Sequence, residues 1–298
     1  MQQDKQTSYV IPALMVAVIA VSFSAVLVRL SAAPPLVIAA YRLLFTTVLL
    51  APPAFYYHKE ELKRLTGRDI FLSVLSGIFL AVHFFSWIAS LQYTTVAASV
   101  LIVSLHPIIV ALLGRYLLGE KIEGAYWFGL VLAILGIGVM GVGDLLAGAG
   151  SWPGGLLALL GAVTMAAYLL IGRTLRQSIS TLTYTLWVYG SAASALLVVS
   201  FLTSTPLYPF SGREYILFLS MALVPTIMGH TVLNWALGKV PTYYVSLAVL
   251  GEPVGAGLLA LLILKETPGI SQLMGGVLIL LGLYFAVRSN ERGKGLLS

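Results

Sequence analysis

Long apolar runs, cut by short polar or Gly/Pro breaks, set the pattern of this chain. They fall at roughly 9–30, 36–57, 70–90, 95–118, 125–143, 155–174, 181–203, 214–238, 243–264 and 270–288. Each is close to the ~20 residues that a helix needs to cross a bilayer. The runs are continuous rather than alternating, which predicts helices and argues against a membrane barrel. The breaks carry turn and helix-end chemistry: Ala33-Pro34-Pro35, Gly119-Glu120-Lys121, Gly154-Gly155, Pro206 with Pro209, Lys239-Val240-Pro241 and Thr267-Pro268-Gly269. The expected fold class is an all-α polytopic membrane protein with ten transmembrane helices. The first run is longer than a typical signal core, and Arg29 stands just before the small residues Ser31-Ala32-Ala33. It is therefore expected to remain as a span rather than be cleaved.

Composition narrows the class. Of 298 residues, 59% are hydrophobic and 9% charged, against about 25% charged in soluble domains. So few charges cannot cover a water-facing surface, which excludes a soluble enzyme, a nucleic-acid binder and a disordered chain. The net charge of +6 is read as loop chemistry. With ten spans and the N-terminus inside, 13 of the 17 Lys and Arg fall on the cytoplasmic side, three fall outside, and Arg42 lies within a span. That bias predicts both termini in the cytoplasm. The chain has no cysteine, so thiolate metal sites and disulfides do not arise, and no metal or other cofactor is expected.

The two halves repeat. With an offset of 146, Pro107 meets Pro253, Glu120 meets Glu266, Gly129 meets Gly275 and Gly136 meets Gly282; 12 of the 36 positions between 101 and 136 are identical to their mates. Trp87 meets Trp235 with an offset of 148. Five spans per copy is odd, so residues 1–150 and 151–298 are expected to form two inverted five-helix repeats in one membrane domain. Secondary transporters use this design to hold a site at mid-membrane.

Ionisable groups inside a bilayer cost at least ~2.5–3.5 kcal/mol and are functional suspects. Here they are Arg42, His83, His106, His230 and Glu252. Glu252 stands near mid-depth before Pro253, whose ring frees the carbonyl four residues back. A carboxyl beside an unpaired carbonyl can hold a proton, a cation or a substrate ammonium. His106 is its repeat mate, before Pro107, and imidazole changes charge near neutral pH. Proton coupling is accordingly placed on Glu252 or His106, against the alternative of hydrogen-bonded packing groups. His83 and Trp87 share a helix face, and His230, Asn234 and Trp235 form the analogous stripe; Tyr168 is a further cavity candidate. Aromatic walls suit apolar, aromatic or cationic substrates. Arg42 is expected either to snorkel to the interface or to lock spans through a carbonyl or Glu252. Glu120 and Glu266 are expected to cap a following helix and, with Pro107 and Pro253, to serve structure and gating.

The segments Leu105-His106-Pro107 to Leu118-Gly119-Glu120 and Leu250-Gly251-Glu252-Pro253 to Leu264-Lys265-Glu266, with Ala40-Tyr41-Arg42, resemble the EamA family of the drug/metabolite transporter superfamily, and within it the YddG-type exporters. The resemblance covers nearly the whole chain. It implies alternating access around a central cavity lined by spans 1, 3, 4, 6, 8 and 9. It also implies export of small metabolites, often amino acids, from a prokaryote across its inner membrane. Lys265-Glu266 stands where the family usually has Gly-Glu. The expected partners are a small-molecule substrate and membrane lipid, with no nucleic acid. The chain is expected to be a monomer, although Gly251 and Gly255 have a spacing that also permits dimers.

An enzyme is not expected. Gly141-Val142-Gly143-Asp144 spells a membrane aspartyl-protease pattern, but that chemistry needs a second intramembrane Asp, and Asp4 and Asp69 lie outside the runs. A sugar-phosphate or nucleotide-sugar exchanger would need cationic clamps, and only Arg42 is available. A drug or toxic-compound transporter of the same fold stays open.

Overall fold

The computed structural model describes residues 2–94, 96–120, 122, 124–146, 152–265 and 269–295. Every regular element among them is helical. The first half holds α1 (Gln2–Leu30), α2 (Pro35–Tyr57), the short α3 (Lys59–Arg64), α4 (Gly67–Ser90), α5 (Val96–Val103), α6 (His106–Leu118) and α7 (Gly124–Leu146). The second half holds α8 (Trp152–Leu175), α9 (Thr181–Leu202), α10 (Gly212–Met221), α11 (Val232–Leu237), α12 (Thr242–Ala248), α13 (Glu252–Leu259) and α14 (Ile270–Gly295). A π-helical stretch, Ala222–Thr231, joins α10 to α11. A 3₁₀ turn, Val249–Gly251, joins α12 to α13, and a second π stretch, Ala260–Leu264, follows.

Among the described residues, seven helices are long and apolar enough to cross a membrane: Tyr9–Leu30, Pro35–Tyr57, Gly67–Ser90, Trp152–Leu175, Thr181–Leu202, Gly212–Leu237 and Thr242–Leu264. Shorter apolar helices cover His106–Leu118, Tyr126–Val139 and Leu273–Phe285. Large apolar side chains such as Leu262, Leu273, Met274 and Val277 stand exposed, as a lipid-facing surface requires. Water would not tolerate such a continuous apolar exterior.

Local sequence explains where the helices start and stop. Pro35 begins α2, where its missing N–H costs nothing. Thr66 and Asp69 form a reciprocal capping box on α4, and Ser180 caps α9 through the Thr183 N–H. Gly119 ends α6 at φ 65°, a conformation that suits a residue without Cβ. The fourth apolar run, read as one helix, is two. It breaks at Ser104–Leu105, just before His106-Pro107. Its repeat mate breaks at Val249–Gly251, just before Glu252-Pro253. Proline lacks the N–H that would continue the ladder, so both helices restart at the same repeat position. In the π stretch, the Thr226 and Thr231 hydroxyls donate five residues back, to the Met221 and Thr226 carbonyls, following the wider turn.

Packing obeys an exchange between the halves. α4 packs on α8 as α1 packs on the π stretch, and α5 and α6 pack on α8 as α13 packs on α1. α2 packs on its own mate α9, and α7 on its mate α14. The glycines exposed by the internal repeat meet in that last pair. A Cβ on Gly136 would lie 2.5 Å from the Gly275 carbonyl oxygen, and one on Gly282 would lie 2.5 Å from the Gly129 oxygen. Gly251 and Gly255 pack inside the molecule, against Val18 and Ser22 of α1.

Candidate functional site

Where the two broken helices face each other, a cavity opens at the centre of the bundle. Its walls are Val21 and Ser24 of α1; His83, Phe84 and Trp87 of α4; Val100 and Val103 of α5 with Ser104 and His106; Met165 of α8; His230, Leu233, Val249 and Glu252. Its free volume is about 30 Å³. On a scale of ~10–15 Å³ per water site, that is room for about two waters. Passage of a metabolite therefore requires the walls to part.

Two of the imidazoles have their tautomers set by backbone. His83 Nδ1 lies 2.9 Å from the Gly161 carbonyl oxygen, and His106 Nδ1 lies 3.0 Å from that of Val103. A carbonyl only accepts, so in each ring Nδ1 carries the proton, and the neutral ring keeps a bare acceptor at Nε2. His106 Nε2 and His230 Nδ1 are buried without a partner among the described residues. Glu252 adds a half-buried carboxyl from the opposite side. The polar part of the wall is thus rich in acceptors, while Phe84 and Trp87 supply aromatic surface.

Arg42 lies immediately behind this wall. It is fully buried, with Nε 2.7 Å from Thr226 Oγ1 and Nη1 2.8 Å from Ser24 Oγ. Its guanidinium carbon sits 4.0 Å from the Phe84 ring centroid. The guanidinium thereby ties α2 to α1, α4 and the π stretch. Of the two roles expected for Arg42, this geometry fits the lock between spans and not the snorkel. Nor does it pair with Glu252: no ion pair within 4 Å joins them among the described residues.

The cavity brings together His83, Trp87, His106, His230 and Glu252 from the sequence reading. Tyr168, Asn234 and Trp235 stand outside its walls, contrary to expectation. The Asn234 amide donates to the Tyr168 and Tyr189 hydroxyls, because a buried amide needs partners. Leu233 takes the wall position instead. Trp235 is half-buried, with the Lys239 ammonium 5.8 Å from its ring centroid. Pro107 and Pro253 are buried at the restarts of α6 and α13. Ser24, Phe84, Ser104 and Thr226 carried no signal in the sequence; nothing but their neighbours distinguishes them from other residues of apolar helices.

Among the described residues, Glu120 reaches the start of a helix in the other copy. Its Oε1 accepts from the Thr242 N–H at 2.7 Å and the Thr242 hydroxyl at 3.0 Å, at the start of α12, with Arg173 Nε 3.7 Å away. Glu266 lies outside the described residues.

A helical membrane bundle of two exchangeable halves, with a polar cavity between them, defines an integral membrane protein of transporter type. The EamA-like transporter family matches residues 8–142 and again 152–288. The chain belongs to that family, as two copies of its module. A protein of Archaeoglobus fulgidus named an uncharacterized transporter is 26% identical over 68% of this chain and 71% of its own length. The Bacillus subtilis uncharacterized transporter YetK is 29% identical over 72% of this chain and 69% of its own. A protein of Hamiltonella defensa, named a probable 4-amino-4-deoxy-L-arabinose-phosphoundecaprenol flippase subunit ArnE, is 38% identical over 31% of this chain and 74% of its own. A solved crystal structure superposes with a TM-score of 0.80 at 19% identity, covering 96% of this chain and 98% of that one; that likeness concerns the fold alone.

Proposed function

We propose that this protein is a secondary transporter exporting small amphipathic metabolites, amino acids or related compounds, across the inner membrane of a prokaryote. On this reading the chain forms ten spans in two inverted repeats, with both termini cytoplasmic. Transport proceeds by alternating access, the copies rocking about the central cavity. The observation that carries the reading is the cavity itself. Glu252 and the His83 and His106 Nε2 acceptors suit an ammonium or amine, and Phe84 and Trp87 suit an apolar side chain or a cation.

Proton exchange is assigned to Glu252 or His106. The charged and titratable groups around them are Arg42, His83 and His230. A phosphorylated substrate fits less well: among the described residues, Arg42 is the one permanently charged cation beside the cavity, and two of its nitrogens are already engaged by Ser24 and Thr226.

The test uses purified protein in liposomes preloaded with a labelled amino-acid mixture, with and without a pH gradient. Efflux of a subset above protein-free liposomes is expected. No efflux from folded protein under either condition would refute amino-acid export.

A further inference from the structure

Three carboxylates outside the cavity each cross from one copy to the other, two to the start of a helix and one to the turn between α1 and α2. Glu61, four residues past the end of α2, accepts from the Ser180 N–H at 2.6 Å and the Thr183 hydroxyl at 2.8 Å, at the start of α9; His58 Nδ1 lies 3.0 Å away. Glu214 is the counterpart, coming after the end of α9. It accepts from the Ser31 hydroxyl and from the Ala32 N–H at 3.0 Å, just before α2, with Arg213 Nη1 at 3.9 Å. Glu120 of the first copy holds the start of α12 in the second, through Thr242.

These contacts lie at opposite ends of the bundle. α2 has 23 residues, about 34 Å at 1.5 Å per residue. Ser31 and Ala32 stand at its beginning, and Glu61 stands beyond its end. Glu120 joins Glu61's end, because Arg173 beside it and Ser180 beside Glu61 flank the same C-terminus of α8. The mates α2 and α9 thus run antiparallel, each start held by an acid that follows the other's end.

We infer that Glu61, Glu120 and Glu214 are gate latches, Glu61 and Glu120 closing one end of the cavity and Glu214 the other. The inference rests on the alternating-access reading. For Glu61 and Glu120, which accept at helix starts, the hydrogen bonds and the helix dipole both favour the acid, and for Glu214, at the turn between α1 and α2, the hydrogen bonds do. Each of these pairs is made only while the two copies touch at that end. Parting the copies at one end breaks its latches and leaves those at the other end intact. The cavity, narrow at about 30 Å³ of free volume, sits between the two sets, and the contacts of both sets are made.

The absence of cysteine allows a direct test. Ser104→Cys places a single thiol in the cavity wall, and membrane-impermeant maleimide is added to sealed vesicles from either side. Glu61→Gln with Glu120→Gln is expected to raise labelling several-fold from the side on which those residues lie, and only from there. Glu214→Gln is expected to raise it only from the opposite side. Thr183→Val and Ser31→Ala remove one partner and leave each acid in place; they should shift labelling the same way, by less. Unchanged labelling in the Glu variants and in these milder ones, or a rise from the same side for both sets, overturns the latches. The readout needs no substrate, so failed efflux with side-specific labelling would refute amino-acid export and leave the latches standing. Efflux with unchanged labelling would do the reverse.

Discussion

Replacing Gly136 by Ala tests the contact between α7 and α14. An Ala Cβ at Gly136 would sit 2.5 Å from the Gly275 carbonyl oxygen and 2.9 Å from the Ile279 nitrogen, whereas ordinary contact begins near 3.4 Å. Both neighbours are helix backbone and cannot rotate away. α7 and α14 must then separate by about 0.9 Å, the difference between 3.4 and 2.5 Å. Overpacking of this kind costs about 1–3 kcal/mol. Gly138 of the same helix is the control, because a Cβ there meets nothing within 4 Å. There the change to Ala brings at most the ~1 kcal/mol gain of better helix propensity. The assay is thermal unfolding of detergent-purified protein followed by light scattering or fluorescence. Gly136→Ala should lower Tm by several degrees, with Gly282→Ala beside it, while Gly138→Ala holds or raises it. Equal Tm values for Gly136→Ala and Gly138→Ala would refute the close approach.

Arg42→Lys keeps the charge but cannot reach Thr226 and Ser24 at once. At about 1.5–3 kcal/mol per hydrogen bond to a charged group, it should lower Tm clearly and slow transport; wild-type values for both would count against the pinning role. Around Glu61, burial alone would raise the carboxyl, but hydrogen bonds from Ser180 and Thr183 and the charge of His58 outweigh it and hold the group below its ordinary range. A depressed carboxyl stabilises the fold above its unfolded pKa and loses that contribution as pH falls through the folded value. Glu61→Gln should therefore lower Tm at pH 7, with the gap to wild type closing below about pH 4; a gap that grows on acidification would contradict the sign. Glu252→Gln should abolish the pH dependence of efflux, and unchanged dependence in both Glu252→Gln and His106→Ala would exclude coupling through either group.

The helical, membrane-embedded character of the chain is written in its apolar runs, because a bilayer leaves the backbone few ways to satisfy its own polar groups. The repeat was equally plain. Pro, Glu and Gly matches at a constant offset are rarely chance in a Leu-rich chain, and they paired His106-Pro107 with Glu252-Pro253, but each run read as one helix and only the fold broke it there. The α7–α14 glycines were visible as mates, but not as each other's contact. What tertiary structure decided is the set of partners. Arg42 reaches Thr226, 184 residues away, and Glu120 reaches Thr242, 122 residues away. Asn234 turns to Tyr168 and Tyr189 while its neighbour Leu233 faces the cavity. Helix periodicity says which residues share a face, and it says nothing about which helix that face meets. The apolar pattern, driven by transfer into lipid, is local and additive along the chain. The pairing of buried polar groups is set by where several helices converge, and that convergence exists only once the two copies have packed together.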